Sequence, residues 1–136
     1  MQSEWGHALR LCVFGGSHEP MLGMCLSGVP AGTPIDLTAL QAFLDRRAPH
    51  AQIGSTARTE ADRFLVKSGI TDGMTDGNVI ELIIQNTDAD SKPYDLYRDV
   101  PRPSQIDYPA RLRFGEDVDL RGGGHFSGRM TAAYCM

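Results

Sequence analysis

Residues 8–27 read ALRLCVFGGSHEPMLGMCLS. Two apolar runs, 8–14 (ALRLCVF) and 21–27 (MLGMCLS), have the composition of strands. Gly15-Gly16-Ser17-His18 interrupts them with turn chemistry, so the pair is expected to be hairpin-like. Glycines at such a turn let the backbone bend sharply and admit a ligand closely. His18 therefore has two readings. It is an acid or base working near neutral pH, or a hairpin-tip histidine facing water.

Downstream, Val29-Pro30-Ala31-Gly32-Thr33-Pro34 is a turn, and a helix is expected from about Thr38 to Arg47. Leu37, Leu40, Phe43 and Leu44 share one face of it, Thr38 with Gln41 matches a capping box, and Pro49 ends it. Residues 48–62 are small and polar, hence a loop. Phe64, Val66 and Ser68 alternate in a short strand, and the glycines at 69, 73 and 77 punctuate turns before the apolar strand Val79–Ile84. From Asn86 to Gly124 four prolines and polar residues predict mostly loop, a length that in a compact domain points to function or to missed elements. A last helix is expected from about Ser127, with Met130, Ala133 and Tyr134 forming an uncovered apolar face.

The 136 residues fit one domain or a piece of a larger one, and 41% hydrophobic content suffices for a core. No apolar run approaches the ~20 residues of a membrane span, and no cleavable leader is evident. Cys12, Cys25 and Cys135 lack metal-knuckle spacing and read as reduced thiols of a cytosolic protein. A net charge of −4 argues against nucleic acid as partner. The histidines at 7, 18, 50 and 125 have no metal-ligand spacing, and no metal is assigned.

Of 13 basic residues only Lys67 and Lys92 are lysine. Arginine's planar fork suits carboxylate and phosphate, although biased codon usage gives the same excess. Arg46 and Arg47 sit where cations favour a helix C-terminus. Arg58 lies in a polar loop, and Arg102 is held between Pro101 and Pro103, a stiffness compatible with an anion clamp or a plain extended loop. Arg121-Gly122-Gly123-Gly124-His125-Phe126-Ser127-Gly128-Arg129 is a glycine-rich run into a helix start. It reads as an anion site built from backbone N–H groups or as a flexible loop. It is neither a P-loop nor a dinucleotide fingerprint.

These segments, in order, resemble one family. Phe14-Gly15-Gly16-Ser17-His18 is similar to a Gly-Glu-Ser-His-Gly opening, and Ser27-Gly28-Val29-Pro30-Ala31-Gly32 to Asp-Gly-x-Pro-Ala-Gly. Leu44-Asp45-Arg46-Arg47-Ala48-Pro49 matches Leu-x-Arg-Arg-x-Pro, and Thr56 to Asp62 matches Thr-x-Arg-x-Glu-x-Asp. Ser68-Gly69 through Gly77, Asn86-Thr87-Asp88 and Ser91-Lys92-Pro93-Tyr94 continue in register, and Arg121 to Thr131 resembles a variant of the last motif. The family is chorismate synthase, and the resemblance runs from Trp5 to Thr131.

The resemblance implies an α+β fold, a layered β/α/β sandwich with antiparallel sheets, of which residues 1–136 are the N-terminal portion. It implies a lyase of the shikimate pathway that takes phosphate and a C6 proton from 5-enolpyruvylshikimate-3-phosphate (EPSP). Reduced FMN (FMNH2) is the implied cofactor, with NADP associated with the flavin chemistry. A cytoplasmic homotetramer is the implied assembly, with neither membrane nor nucleic acid as partner. His18 stands where the family has an acid near the departing phosphate. Arg47, Arg58, Arg102 and Arg129 stand where it has substrate-facing arginines, and Ser127, Gly128 and Arg129 lie in the flavin-contacting motif.

Two motifs depart from the family pattern. Gln105 replaces the second family histidine, and an amide hydrogen-bonds but does not titrate. Gly16 and Glu19 replace the motif's Glu and Gly, which places a carboxylate beside His18. With the short chain, these changes leave a second reading from another class. In it the chain is a non-catalytic remnant that keeps the anion-binding arginines.

Overall fold

The computed structural model describes residues 1–47 and 61–136. Most of the polar loop read over 48–62, Arg58 included, lies outside the described residues.

The hairpin at 8–27 is the centre of the fold. Strand β2 (Arg10–Gly15) pairs antiparallel with β3 (Met21–Ser27), with Gly15 opposite Leu22 and Val13 opposite Met24. β1 (Gln2–Gly6), which the sequence reading did not assign, adds to the free side of β2. Its polar QSEWG run has only a weak strand signature, and pairing with β2 supplies what propensity does not. β7 (Ile80–Gln85) pairs with the other side of β3, and β4 (Phe64–Ser68) closes the order β1-β2-β3-β7-β4. A two-stranded ribbon, β5 (Ile70–Thr71) and β6 (Met74–Thr75), fills the glycine-punctuated turn region. Antiparallel sheets with segregated helices make this an α+β fold.

Strand alternation puts Val13, Leu22, Met24, Ile80, Leu82 and Ile84 on one buried face. Against it lie α1 (Leu37–Arg47), through Leu44, and α3 (Thr131–Tyr134), through Ala132 and Ala133, with Met130 beside them. Three helix expectations are corrected. The cap of α1 is Asp36, whose Oδ1 accepts from the Ala39 N–H at 2.9 Å, while Gln41 bonds Asp45 and the Asp62 carbonyl instead of closing a capping box. The last helix is a 3-10 turn at Gly128–Met130 followed by the single turn of α3. Met130 and Ala133 are not uncovered: they are 2% and 1% exposed, because alanines at 132 and 133 let α3 lie close on the sheet. Only Tyr134 projects, beside Trp5.

The stretch 86–124 is more ordered than its composition predicts. It holds a 3-10 helix at Lys92–Tyr97 and the helix α2 (Asp107–Phe114). Pro109 falls in the first turn of α2, where its missing N–H has no intrahelical partner to lose.

Candidate functional site

The β2–β3 turn is held from three sides. Asn86, just past β7, donates its amide to the carbonyls of Gly16 (3.0 Å) and Glu19 (2.7 Å). The Ser17 N–H donates to the Gly124 carbonyl at 3.0 Å. His125 is buried, with Nδ1 2.7 Å from the Gly15 carbonyl and Nε2 2.9 Å from Ser3 Oγ. A carbonyl only accepts, so His125 carries its proton on Nδ1 and receives the serine hydroxyl at Nε2.

The run Arg121–Phe126 reaches this turn because Gly122, Gly123 and Gly124 all take positive φ (58°, 87° and 55°). A Cβ on Gly122 would lie 2.3 Å from His18 Cε1, and one on Gly124 would lie 1.9 Å from the Asp119 carbonyl oxygen. The N–H groups of Gly123, Ser127, Arg129 and Met130 all bond within the loop itself, and no long helix begins after it. Gly122 serves close packing on His18 and Ser17, and Gly124 close packing on Asp119.

Around the turn the predicted residues fall into two groups. In the first, Arg47 and Arg129 converge on Asp62. Arg47 Nη1 donates to Asp62 Oδ2 and Arg129 Nη1 to Asp62 Oδ1, and the Asp62 side chain is fully buried. Arg129 Nε reaches Asn86 Oδ1 (3.0 Å), which ties this group to the turn, and Arg47 Nε donates to Thr131 Oγ1 (2.9 Å). Ser127 Oγ accepts from the Arg129 N–H at 3.2 Å, and Gly128 is exposed with open space over its Cα.

In the second group, Arg102 grips Asp107 through Nε and Nη2, each at 2.7 Å, and gives Nη2 also to the Leu120 carbonyl. Its guanidinium lies 5.4 Å from the Tyr94 ring centroid and 5.8 Å from that of Tyr97. Tyr94 in turn meets His18 edge-on at 4.9 Å, and so joins the two groups. Arg121 is clamped by Asp119 instead of flanking the glycines. Arg102 and Arg121 line a cavity of about 340 Å³, together with Tyr94, Tyr97, Arg98 and Arg111. Gln105 is exposed on the turn before α2 and touches this group only through its backbone N–H, 3.4 Å from the Arg102 carbonyl. Among the described residues no cluster of three or more His, Cys, Asp or Glu could hold a metal ion, and no helix is long and apolar enough to cross a membrane.

The sequence reading missed the carboxylates. Asp62, Asp107 and Asp119 each neutralise an arginine it had singled out, and Asp62 closed a motif already quoted. An excess of buried guanidinium demands such partners.

The Arg102 side-chain hydrogen bond holds the Asp107 carboxyl below its ordinary value of 3.8, against the upward push of burial. The same bond raises Arg102. A carboxyl depressed in the folded state adds stability that is present above its unfolded value and is lost as pH falls through the folded one. Asp107→Asn is therefore expected to lower unfolding free energy by about 2 kcal/mol at pH 7. The difference should shrink as pH falls below the ordinary carboxyl value of 3.8 and vanish once the carboxyl is protonated in the folded chain as well as the unfolded one. Urea unfolding across that range measures it, and a gap that persists undiminished in acid rules the ion pair out as its source.

A family model, chorismate synthase, matches residues 9–136. Chorismate synthase of Korarchaeum cryptofilum is 42% identical over 132 residues, 97% of this chain and 37% of that protein. The Methanococcoides burtonii chorismate synthase is 44% identical over 127 residues, 93% of this chain and 34% of that protein. A solved crystal structure of chorismate synthase superposes with a TM-score of 0.55 at 26% identity, over 93% of this chain and 30% of that one. The chain thus spans little more than a third of the length of these curated relatives, and the matched part is their N-terminal part. By this match the chain belongs to the chorismate synthase family.

Proposed function

We propose that the protein to which these residues belong converts EPSP to chorismate and phosphate, with reduced FMN as cofactor. The observation that carries this reading is the convergence on one turn of His18, Asn86, the Arg47–Asp62–Arg129 group and, through Tyr94, Arg102.

The chain's own residues have distinct tasks in it. Arg102 is fixed by Asp107, and its Nη1 has no hydrogen-bond partner among the described residues, which leaves a preset donor for a substrate oxygen at the cavity. Arg47 is set by Asp62 and Thr131 in the same manner. Arg58 and Arg129 are the other two proposed substrate arginines. His18 presents a ring N–H beside these cations, at the place proposed for the departing phosphate. Ser127 and Gly128 fit a flavin contact, since Gly128 is open and Ser127 fixes the turn beneath it. Arg129 serves that contact by bracing the turn, since its guanidinium faces Asp62 and Asn86. When bound, reduced FMN supplies the transient electron donation that helps phosphate leave. NADP enters the proposal only in keeping the flavin reduced. The proposed setting is a cytoplasmic homotetramer.

The second reading is a non-catalytic remnant, and Gln105 is the residue that favours it. Anaerobic assay with chemically reduced FMN and EPSP decides between them. The protein from the whole reading frame should release phosphate and form chorismate in equal amounts over many turnovers. Residues 1–136 alone should not, since positioning by all walls of a site supplies most of its rate. No product from the whole frame removes the synthase reading, and turnover by residues 1–136 shows that this third of the family chain is sufficient.

A further inference from the structure

We infer that Tyr94 and Gly122 are positioning residues that hold His18 in a single tautomer, with the proton on Nε2 and that N–H aimed at one point. The inference deepens the proposed function and rests on it only for the identity of what binds at that point.

The geometry around the ring is one-sided. Nε2 lies 3.1 Å from the carbonyl oxygen of Asp90. Because a carbonyl only accepts, Nε2 must carry the hydrogen. Nδ1 is buried and has no hydrogen-bond partner among the described residues. What covers it is Gly122, where an added Cβ would stand 2.5 Å from Nδ1 and 2.9 Å from Ser17 Oγ. The Tyr94 ring closes a further side, edge-on at 4.9 Å, and is itself stacked on Arg102, which Asp107 clamps. The ring therefore has one open donor, and it points at a backbone oxygen on the segment leading to the 3-10 helix Lys92–Tyr97. That oxygen occupies the place in which an oxyanion of a bound phosphate ester would accept the same hydrogen. His125 offers a built-in contrast, for its carbonyl partner sits on Nδ1 and fixes the opposite tautomer.

The test is the nitrogen spectrum of the chain labelled with 15N in its histidine rings, recorded above pH 8, where an ordinary histidine is neutral. Loss of one signal set in His18→Gln assigns the residue. The expected wild-type pattern is a protonated Nε2 and a bare Nδ1 at His18, with the reverse at His125. Tyr94→Phe keeps the ring contact and should leave the His18 pattern in place. Tyr94→Ala should shift both His18 nitrogens towards the averaged values of a ring that exchanges tautomers. Gly122→Ala should do the same by displacing the ring. If that variant does not fold, the tyrosine pair still decides, since Tyr94 is not part of the core. A wild-type His18 that is averaged or protonated on Nδ1 overturns the inference, as does an unchanged pattern in Tyr94→Ala. None of these spectra needs substrate or flavin, so a failed EPSP assay leaves them standing, and a failed tautomer leaves the synthase reading standing.

Discussion

Replacing Asp62 by asparagine is expected to remove about 3–5 kcal/mol of folding stability, since it takes away the buried carboxylate that two arginines share. The Asp62 side chain is fully buried, and it accepts from Arg47 on one oxygen and Arg129 on the other, with Arg129 itself only 5% exposed. Surface ion pairs contribute little, but a buried one behaves differently when a single partner is removed. The desolvated charge left behind loses the carboxylate that offset its burial. Asp62 also has a φ of 45°, in the left-handed region that asparagine tolerates and alanine does not. Asp62→Ala should therefore lose about 1–2 kcal/mol more than Asp62→Asn, the difference being backbone strain. Urea unfolding of both variants measures this, provided the slope with denaturant stays at the wild-type value. A loss under about 1 kcal/mol in Asp62→Asn would show that water reaches the pair and that it is no buried ion triad.

The same residues show how much the sequence could tell. Apolar runs marked β2, β3 and β7, and the alternation of Phe64, Val66 and Ser68 marked β4, because both are local patterns that burial in a sheet imposes. β1 was illegible, since QSEWG has no such alternation and becomes a strand by lying along β2. α2 was hidden by Pro109 and by a mixture of charged and apolar residues, and five of its residues (Tyr108, Pro109, Leu112, Arg113, Phe114) remain exposed. Within the site, the motifs delivered the arginines and His18 by residue type. They did not deliver the pairings, because Asp62 meets Arg129 across 67 residues and Tyr94 meets His18 through a fold in the chain. The glycine run left two readings open, backbone donors for an anion or a flexible loop, and neither contains the packing that its three consecutive positive φ values produce, with Gly122 brought onto His18.

Gln105→His is expected to raise kcat by about 10²–10⁴-fold in the full-length protein, with dissociation constants for EPSP and FMN nearly fixed. Position 105 follows Ser104, whose φ of 61° turns the chain between Pro103 and α2, and its N–H rests on the Arg102 carbonyl. The backbone there is thus anchored to the same arginine that Asp107 clamps, so a side-chain change at 105 need not disturb the cavity. Glutamine and histidine are both planar and polar, but only imidazole takes up and releases a proton near neutral pH. If proton movement at this point limits turnover, histidine restores it at a ring nitrogen while the arginines that bind anions stay as they are. The distinguishing pattern is therefore a change in kcat with unchanged binding, together with a new limb in the pH profile near the ordinary histidine range of about 6.5. Equal kcat and an unaltered profile would mean that no proton passes through position 105 in this protein. A rise confined to binding would instead place Gln105 among the contacts to substrate, a role that its exposed side chain leaves open to an approaching ligand.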